Sequence, residues 1–306
     1  MHKTRYNSLH LDLRVSPVGS LLIKAGGFST DPSLPDMQFV RTFREGLGET
    51  LYIPGSSLKG VFRNYVEKAL RTINDVNSWK RACPTFEGKG EEQEPNCTQR
   101  IKKDHAKVEG QEKNEIKSWD VYRESCGACR TFGNTLLKGR LAFTDLLSTG
   151  DVKTETRYGV AISRLSHAVA QGPFDMEVAV SGAFEGQVIL ENYELWQLGM
   201  LATAIESMNQ GFLKVGFGKN RGLGQVNVMV KSAVVEEIAP IKKDTTLRGL
   251  GDFVDDLERK KYGLAEPFSL EDVSQPEKNE KLGFYQIRTY DTDGWGMISR
   301  ATIQAL

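Results

Sequence analysis

The cysteines are the residues most able to do chemistry together. There are four, Cys83, Cys97, Cys126 and Cys129, and all lie in one stretch poor in aliphatic residues. Thiolates are ligands for a tetrahedral ion, and the Cys126-x-x-Cys129 knuckle spaces two of them for a single Zn²⁺. The surrounding residues 74–125, with EGKGEEQEPN as their least hydrophobic part, read as an insertion that cannot build its own apolar core. Bound zinc would supply the missing folding free energy. A site of four cysteines keeps no open coordination position, so its expected role is structural. His105 is the alternative ligand in place of Cys97. A redox pair lacks the thioredoxin-like strand–helix setting, and disulfides are disfavoured in a cytoplasmic protein.

A second constellation is cationic. In residues 216–224, GFGKNRGLG, glycines such as Gly218 and Gly222 allow positive φ and close approach of backbone N–H groups to phosphates. Lys219 and Arg221 add charge there. No Lys-Ser/Thr follows, and the run comes after a helix pattern, so it is neither a P-loop nor a Rossmann turn. Lys59 and Arg63 lie one turn apart at the start of another helix, where orphan N–H groups and the helix dipole favour phosphate. Arg157, Tyr158, Arg164 and His167 sit in a polar arm, residues 152–172. The plain alternatives are a tight connection, a solvated helix face and a surface loop. Two aspartates, Asp31 and Asp36, stand in the Gly/Pro/Asp-rich loop 25–36, where such residues commonly shape turns. His2, His10 and His105 have no obvious catalytic partner.

These residues need elements to position them. Residues 7–15 alternate with Leu9, Leu11, Leu13 and Val15 on one face, a half-buried strand. A turn at Pro17-Val18-Gly19 and a short strand at Ser20–Lys24 would complete a hairpin. Residues 51–53 are a short extended entry to the turn Pro54-Gly55. Ser56 or Ser57 is placed to cap a helix running to about Ile73. Strands are expected at 139–146, 174–181 and 185–190, a helix at 193–209 and a last strand at Gln225–Lys231. The fold class is therefore α+β, close to a ferredoxin-like βαββαβ core. The expected organisation is a core over residues 1–231, interrupted by the insertion 74–138 and the arm 152–172, then an acidic, weakly patterned extension over 232–306 with a strand candidate at Phe284–Tyr290.

Net charge is zero over 306 residues, unlike the basic balance of an isolated, non-specific nucleic-acid binder. Residues 1–80 carry 11 Lys/Arg against 7 Asp/Glu, and residues 232–306 carry 10 against 14. That polarity would suit a subunit holding RNA on one side and neighbours on the other. No apolar run is long enough for a transmembrane helix and the N-terminus has no secretory h-region, so a cytoplasmic protein is expected.

GFGKNRGLGQV resembles the glycine-rich loop of the RAMP superfamily of CRISPR effector subunits. IPGSSLKGVFRN is similar to that family's helix-opening signature, and CGACRTFGN (126–134) to a motif of backbone subunits in type III effectors. The resemblance covers residues 7–231. It implies a modified ferredoxin-like or RRM-like core with a zinc-binding insertion and a thumb-like hairpin at 152–172. It also implies a crRNA-binding backbone subunit that stacks in a filament with copies of itself and other effector subunits. RNA contacts are then expected from Ser56, Lys59, Arg63, Arg157, Arg164, His167, Gly218, Lys219, Arg221 and Gly222. The family often cleaves target RNA with Mg²⁺ or Mn²⁺ and a loop aspartate, which spacing to IPGSSLKG assigns to Asp36 over Asp31. The alternatives are a non-catalytic RNA-binding scaffold and a metal-independent guide-processing endoribonuclease, which would want a histidine.

Overall fold

The computed structural model describes residues 3–26, 34–84, 95–105, 116–241, 243–265 and 268–306. Asp31 and His2 lie outside these residues. The chain forms β1 (Asn7–Pro17), β2 (Arg41–Arg44), β3 (Gly48–Ile53) and α1 (Gly55–Ile73), then α2 (Cys97–Asp104), α3 (Ser118–Glu124) and α4 (Gly127–Phe132). Next come β4 (Leu141–Phe143), β5 (Leu146–Thr149), β6 (Thr154–Ile162), β7 (Val169–Ala179), β8 (Ala183–Glu191) and α5 (Leu195–Asn209). The last part holds β9 (Val226–Ile238), β10 (Leu247–Arg248), α6 (Asp256–Tyr262), β11 (Ser269–Leu270), β12 (Lys278–Leu282), β13 (Tyr285–Tyr290) and α7 (Thr292–Gln304).

The main sheet has nine strands in the order β12-β13-β9-β1-β8-β5-β3-β2, with β4 also on β8, and every pairing in it is antiparallel. The alternation read in β1 is realised: Leu9, Leu11, Leu13 and Val15 are buried, while His10, Asp12 and Arg14 are only half-buried. Apolar residues of α1, α4, α5 and α7 share one core with that face. The side chains of α5 are buried almost all round, as a helix enclosed on every side requires.

Several local expectations change. Ser20–Lys24 does not fold back on β1. Leu21 pairs with Ala179 and Lys24 with Phe39 through isolated bridges. Instead β2 and β3 form a hairpin where a plain connection was expected before α1. No serine caps α1: its N-cap is Pro54, and the Asp145 carboxylate accepts from Gly55 N at 2.8 Å. The strand expected at 139–146 breaks into β4 and β5 because Thr144 and Asp145 turn outward, Asp145 to α1 and Thr144 Oγ1 to accept from Gln187 N at 2.8 Å. The last strand does not stop at Lys231 but continues to Ile238 and pairs with β13.

The insertion packs into the common core rather than standing apart. Ile101, Val121, Tyr122 and Phe132 are buried in it. A buried polar knot fastens it there: Tyr122 donates its hydroxyl to Glu194, and Arg130 donates to the Ser125 carbonyl at 3.1 Å and the Gly263 carbonyl at 2.8 Å. The acidic excess of the C-terminal part is partly internal as well. Glu237, fully buried on β9, faces Arg288 at 2.9 Å and Arg248 at 3.2 Å.

Candidate metal centre and glycine-rich loop

The four cysteines converge. Their sulfurs lie within 4.8 Å of one another, with Cys97, Cys126 and Cys129 buried and Cys83 at the margin. Cys83 Sγ and Cys129 Sγ are 3.7 Å apart, and a tetrahedron with ~2.3 Å Zn–S bonds has an S···S edge of about 3.8 Å. That pair therefore already has the spacing of a tetrahedral ion such as zinc, and the cluster as a whole is close enough to hold one. Backbone N–H groups point at the sulfurs: Cys126 N donates to Cys97 Sγ at 3.2 Å and Cys83 N to Cys126 Sγ at 3.4 Å. Without a cation the sulfurs compete for protons. Hydrogen bonds from its neighbours, Cys129 first, drive the Cys126 thiol strongly down, and the Cys126 thiolate in turn holds Cys129 and Cys97 strongly up. A dication removes that conflict by accepting all four as thiolates.

Local sequence explains the convergence. Cys126 is the N-cap residue of α4 and Cys129 lies in its first turn, so both sulfurs emerge from one helix start. Cys97 opens α2 behind an Asn96–Gln99 capping box. The intervening Gly127 is needed for close approach, because a Cβ there would lie 2.9 Å from both Leu70 Cδ1 and the Trp79 carbonyl. His105 is not part of the cluster; its Nε2 lies 3.5 Å from Glu124.

The cationic loop is built differently. Lys219–Arg221 make one 3₁₀ turn between Gly218 at φ 71° and Gly222 at φ 82°, so the glycines shape the turn and leave Lys219 and Arg221 exposed on it. The loop is laced to Ser20–Lys24: Gly224 N donates to Ser20 O and Phe217 N to Leu22 O, both at 2.8 Å. That same segment reaches β7 through Leu21 and the Asp36-bearing segment through Ala25 N to Gln38 O at 2.9 Å. Arg221 stands 5.9 Å from the rings of Phe174 and Phe217. Lys214 donates to the Lys219 carbonyl at 3.3 Å. Burial of its stem, and then the nearby charge of Lys68 on α1, lower the Lys219 pKa. Glycine loop, Asp36 segment and hairpin base thus meet at one end of the sheet.

Asp36 itself is exposed and locked to a residue that sequence reasoning missed. Asp36 N donates to Asp175 Oδ1 at 2.8 Å, and Asp175 N to Asp36 Oδ2 at 3.2 Å. Lys68 and Lys214 were also missed, since neither belongs to the glycine run or to the Lys59/Arg63 pair. The arm is a single hairpin, β6 on β7. Arg157 pairs with Glu155 at 2.7 Å, while Arg164 and His167 lie in the exposed tip, His167 at φ 55°. The hairpin also exposes Tyr158, Ile162, Leu165 and Val169, Leu165 to 93 %. Ser56 and Lys59 remain at the surface of α1. Arg63 does not project freely: it bonds to Glu67 and to the Gly133 carbonyl.

On the open face of the sheet, β1 and β8 expose no Phe, Tyr or Trp. β1 and β8 present His10, Asp12, Arg14, Glu185 and Gln187, with Arg14 and Lys231 both on Glu185 at 2.8 and 3.1 Å. No described helix is long and apolar enough to cross a membrane. The RAMP superfamily model matches residues 18–227, more than half of the chain, and the chain belongs to that superfamily. Membership carries a CRISPR-associated, RNA-binding role. No curated protein matches the sequence.

Proposed function

We propose that this RAMP superfamily member is a crRNA-binding backbone subunit of a type III CRISPR effector, working in the cytoplasm with further copies of itself and other effector subunits. The observation that carries the reading is the meeting of glycine loop, Asp36 segment and hairpin base through Ser20–Lys24. Lys68, Lys214, Lys219 and Arg221 supply charge for phosphates. A groove of this kind holds a guide by its backbone whatever its sequence. The exposed apolar hairpin suits contact with unstacked bases, with Arg164 and His167 at its tip. Ser56 and Lys59 extend the cationic surface along α1.

The strand order β9-β1-β8-β4 with α1 and α5 as crossovers supports a ferredoxin-like core. On this reading residues 1–231 are the superfamily core, with 74–138 and 152–172 inserted, and 232–306 an extension added to the sheet edge beyond β9. The bound guide pairs with target RNA, and cleavage at Asp36 is transesterification. The ribose 2′-oxygen attacks the adjacent phosphorus, the P–O5′ bond breaks, the departing O5′ takes a proton from water, and the products end in a 2′,3′-cyclic phosphate and a 5′-hydroxyl. The Asp36 carboxylate takes up the 2′-hydroxyl proton directly or through water. Mg²⁺ or Mn²⁺, when bound, supplies charge stabilisation at the phosphoryl oxygens.

A scaffold without cleavage is the second reading, favoured by the use of Asp36 Oδ2 as an acceptor for Asp175 N. A histidine-dependent guide-processing nuclease has less support, since His10 sits mid-strand on the sheet and His105 faces Glu124. The test is guide-matched target RNA with the assembled complex in Mn²⁺ or Mg²⁺. Regular cuts lost in Asp36→Ala support cleavage. Intact target with normal assembly leaves the scaffold, and protein purified free of RNA that also fails to bind guide sinks both.

A further inference from the structure

Arg63 was expected on the RNA face, and its surroundings give it other work. On α1, Arg63, Glu67 and Arg71 recur every four residues and so share one face. Glu67 is buried, its side chain 4 % exposed, and accepts from Arg63 Nε at 2.8 Å and from Arg71 Nη2 at 3.4 Å. Each arginine also grips the backbone of the cysteine centre. Arg71 Nη2 donates to the Cys83 carbonyl at 3.1 Å. Arg63 Nη1 donates to the carbonyl of Gly133 at 3.3 Å, the residue that ends the helix carrying Cys129. A third arginine, Arg100, brings Nη2 within 3.9 Å of Cys97 Sγ.

We infer that the Arg63–Glu67–Arg71 ladder is the outer shell of the cysteine metal centre, and that Arg63 is a positioning residue for that centre and not an RNA contact. The charges agree. Four thiolates around a dication leave about two negative charges. Three arginines less the Glu67 carboxylate leave two positive ones beside them. A cleft of about 410 Å³ over the centre is lined by Arg63, Lys102, Asn96 and Asn134 and, among the described residues, by no carboxylate. The arrangement also has a geometric function. Cys83 and Cys129 come from segments on either side of the described α2, and the ladder holds the Cys83 carbonyl and the C-terminal end of α4, the helix that carries Cys129, against one rigid helix. Outer-shell partners of this kind orient ligands and raise metal affinity, and their loss commonly costs 10- to 100-fold.

The experiment is a metal competition on the full chain. Zinc affinity is measured against a chromophoric chelator, and Co²⁺ substitution reads the tetrahedral thiolate spectrum. Arg63→Gln, Arg71→Gln and Glu67→Gln are each expected to weaken zinc binding by roughly tenfold or more and to shift the Co²⁺ bands. Lys59→Gln, one turn away on the same helix, should leave both unchanged. Arg71, whose side chain is 42 % exposed, tolerates replacement even if a Glu67 variant fails to fold. RNA affinity and its salt dependence are measured in parallel. If Arg63→Gln and Arg71→Gln keep zinc affinity within twofold of the parent, the inference is wrong. An Arg63→Gln loss confined to RNA affinity, with a shallower salt dependence, overturns it in favour of a phosphate contact.

Discussion

The cysteine centre and the glycine-loop end solve opposite problems. The centre is inward: three of its four ligands are buried, its N–H donors aim at its own sulfurs, and its cations are spent on its own carbonyls and on Glu67. The loop end is outward: Lys219 and Arg221 are exposed, and among the described residues neither forms an ion pair with a carboxylate. A region that satisfies its own charges stabilises a fold. A region that leaves cations unsatisfied invites an anion. The contrast teaches that position at a helix start does not by itself assign a lysine or arginine to an anion, since Arg63, one turn from Lys59, is engaged by Glu67 and the Gly133 carbonyl.

The largest effect should come from breaking the inward region. Cys126→Ser removes the ligand whose sulfur accepts from the Cys83 backbone and leaves the ladder facing an incomplete centre. Stability is expected to fall by more than about 4 kcal/mol, read as a collapsed thermal melt with zinc content near zero. A chelator acting on the parent protein should move the melt in the same direction. An unchanged melt would mean that packing, not metal, holds the insertion.

The next effect separates turn geometry from charge within the outward region. In Gly224→Ala a methyl group would overlap the Val215 carbonyl at φ 88°, and the loss should reach about 2 kcal/mol or more. In Gly222→Ala the added Cβ meets nothing within 4 Å at φ 82°, so only the left-handed backbone costs, about 1 kcal/mol. Equal losses in denaturant melts would show that the loop does not keep its contact with Val215.

Charge comes third. Lys219→Gln and Arg221→Gln should each leave stability within about 0.5 kcal/mol, while the slope of log affinity against log salt for single-stranded RNA shrinks by about 1 for each. Titrations at several salt concentrations measure it, and a slope unmoved by both changes removes the loop from the RNA path. The smallest effect is with pH. Burial first, and Lys68 second, lower the Lys219 pKa, so its charge is lost as pH rises, beginning below the ordinary lysine range. RNA affinity should therefore decline earlier on the alkaline side than in Lys219→Arg, where the charge persists.

What could be read in the sequence follows the range of the interactions involved. The helix α1, the alternation of β1 and the gathering of cysteines depend on local spacing, and each is found where spacing placed it. Ser20–Lys24 could not be read that way, because its partners are Ala179, Phe39 and the glycine loop, and a five-residue extended segment carries no mark of which partner it takes. Asp175 was hidden for the same reason. The ion pairs of Arg63 are a different case. Glu67 and Arg71 stand at i+4 and i+8 in the sequence, a visible signal of helix-face pairing that the resemblance to a phosphate-binding motif outweighed. Of the C-terminal strands, β13 lies where a strand was expected at Phe284–Tyr290, while β12 was obscured by its charge, since it is exposed along its whole length and shows no alternation.

The placement of β1 has a consequence in time. Ser8 pairs with Glu191 on one side and Glu236 on the other, so the strand at the centre of the sheet precedes both of its neighbours by most of the chain. Closing such long loops before any pairing energy is gained makes folding slow. During synthesis β1 waits with both edges unpaired until β8 has been made, and with one unpaired until β9 follows, and in that interval such edges recruit other chains. Yield of the native protein should therefore respond to growth temperature and to chaperone supply more than the stability of the finished molecule would suggest.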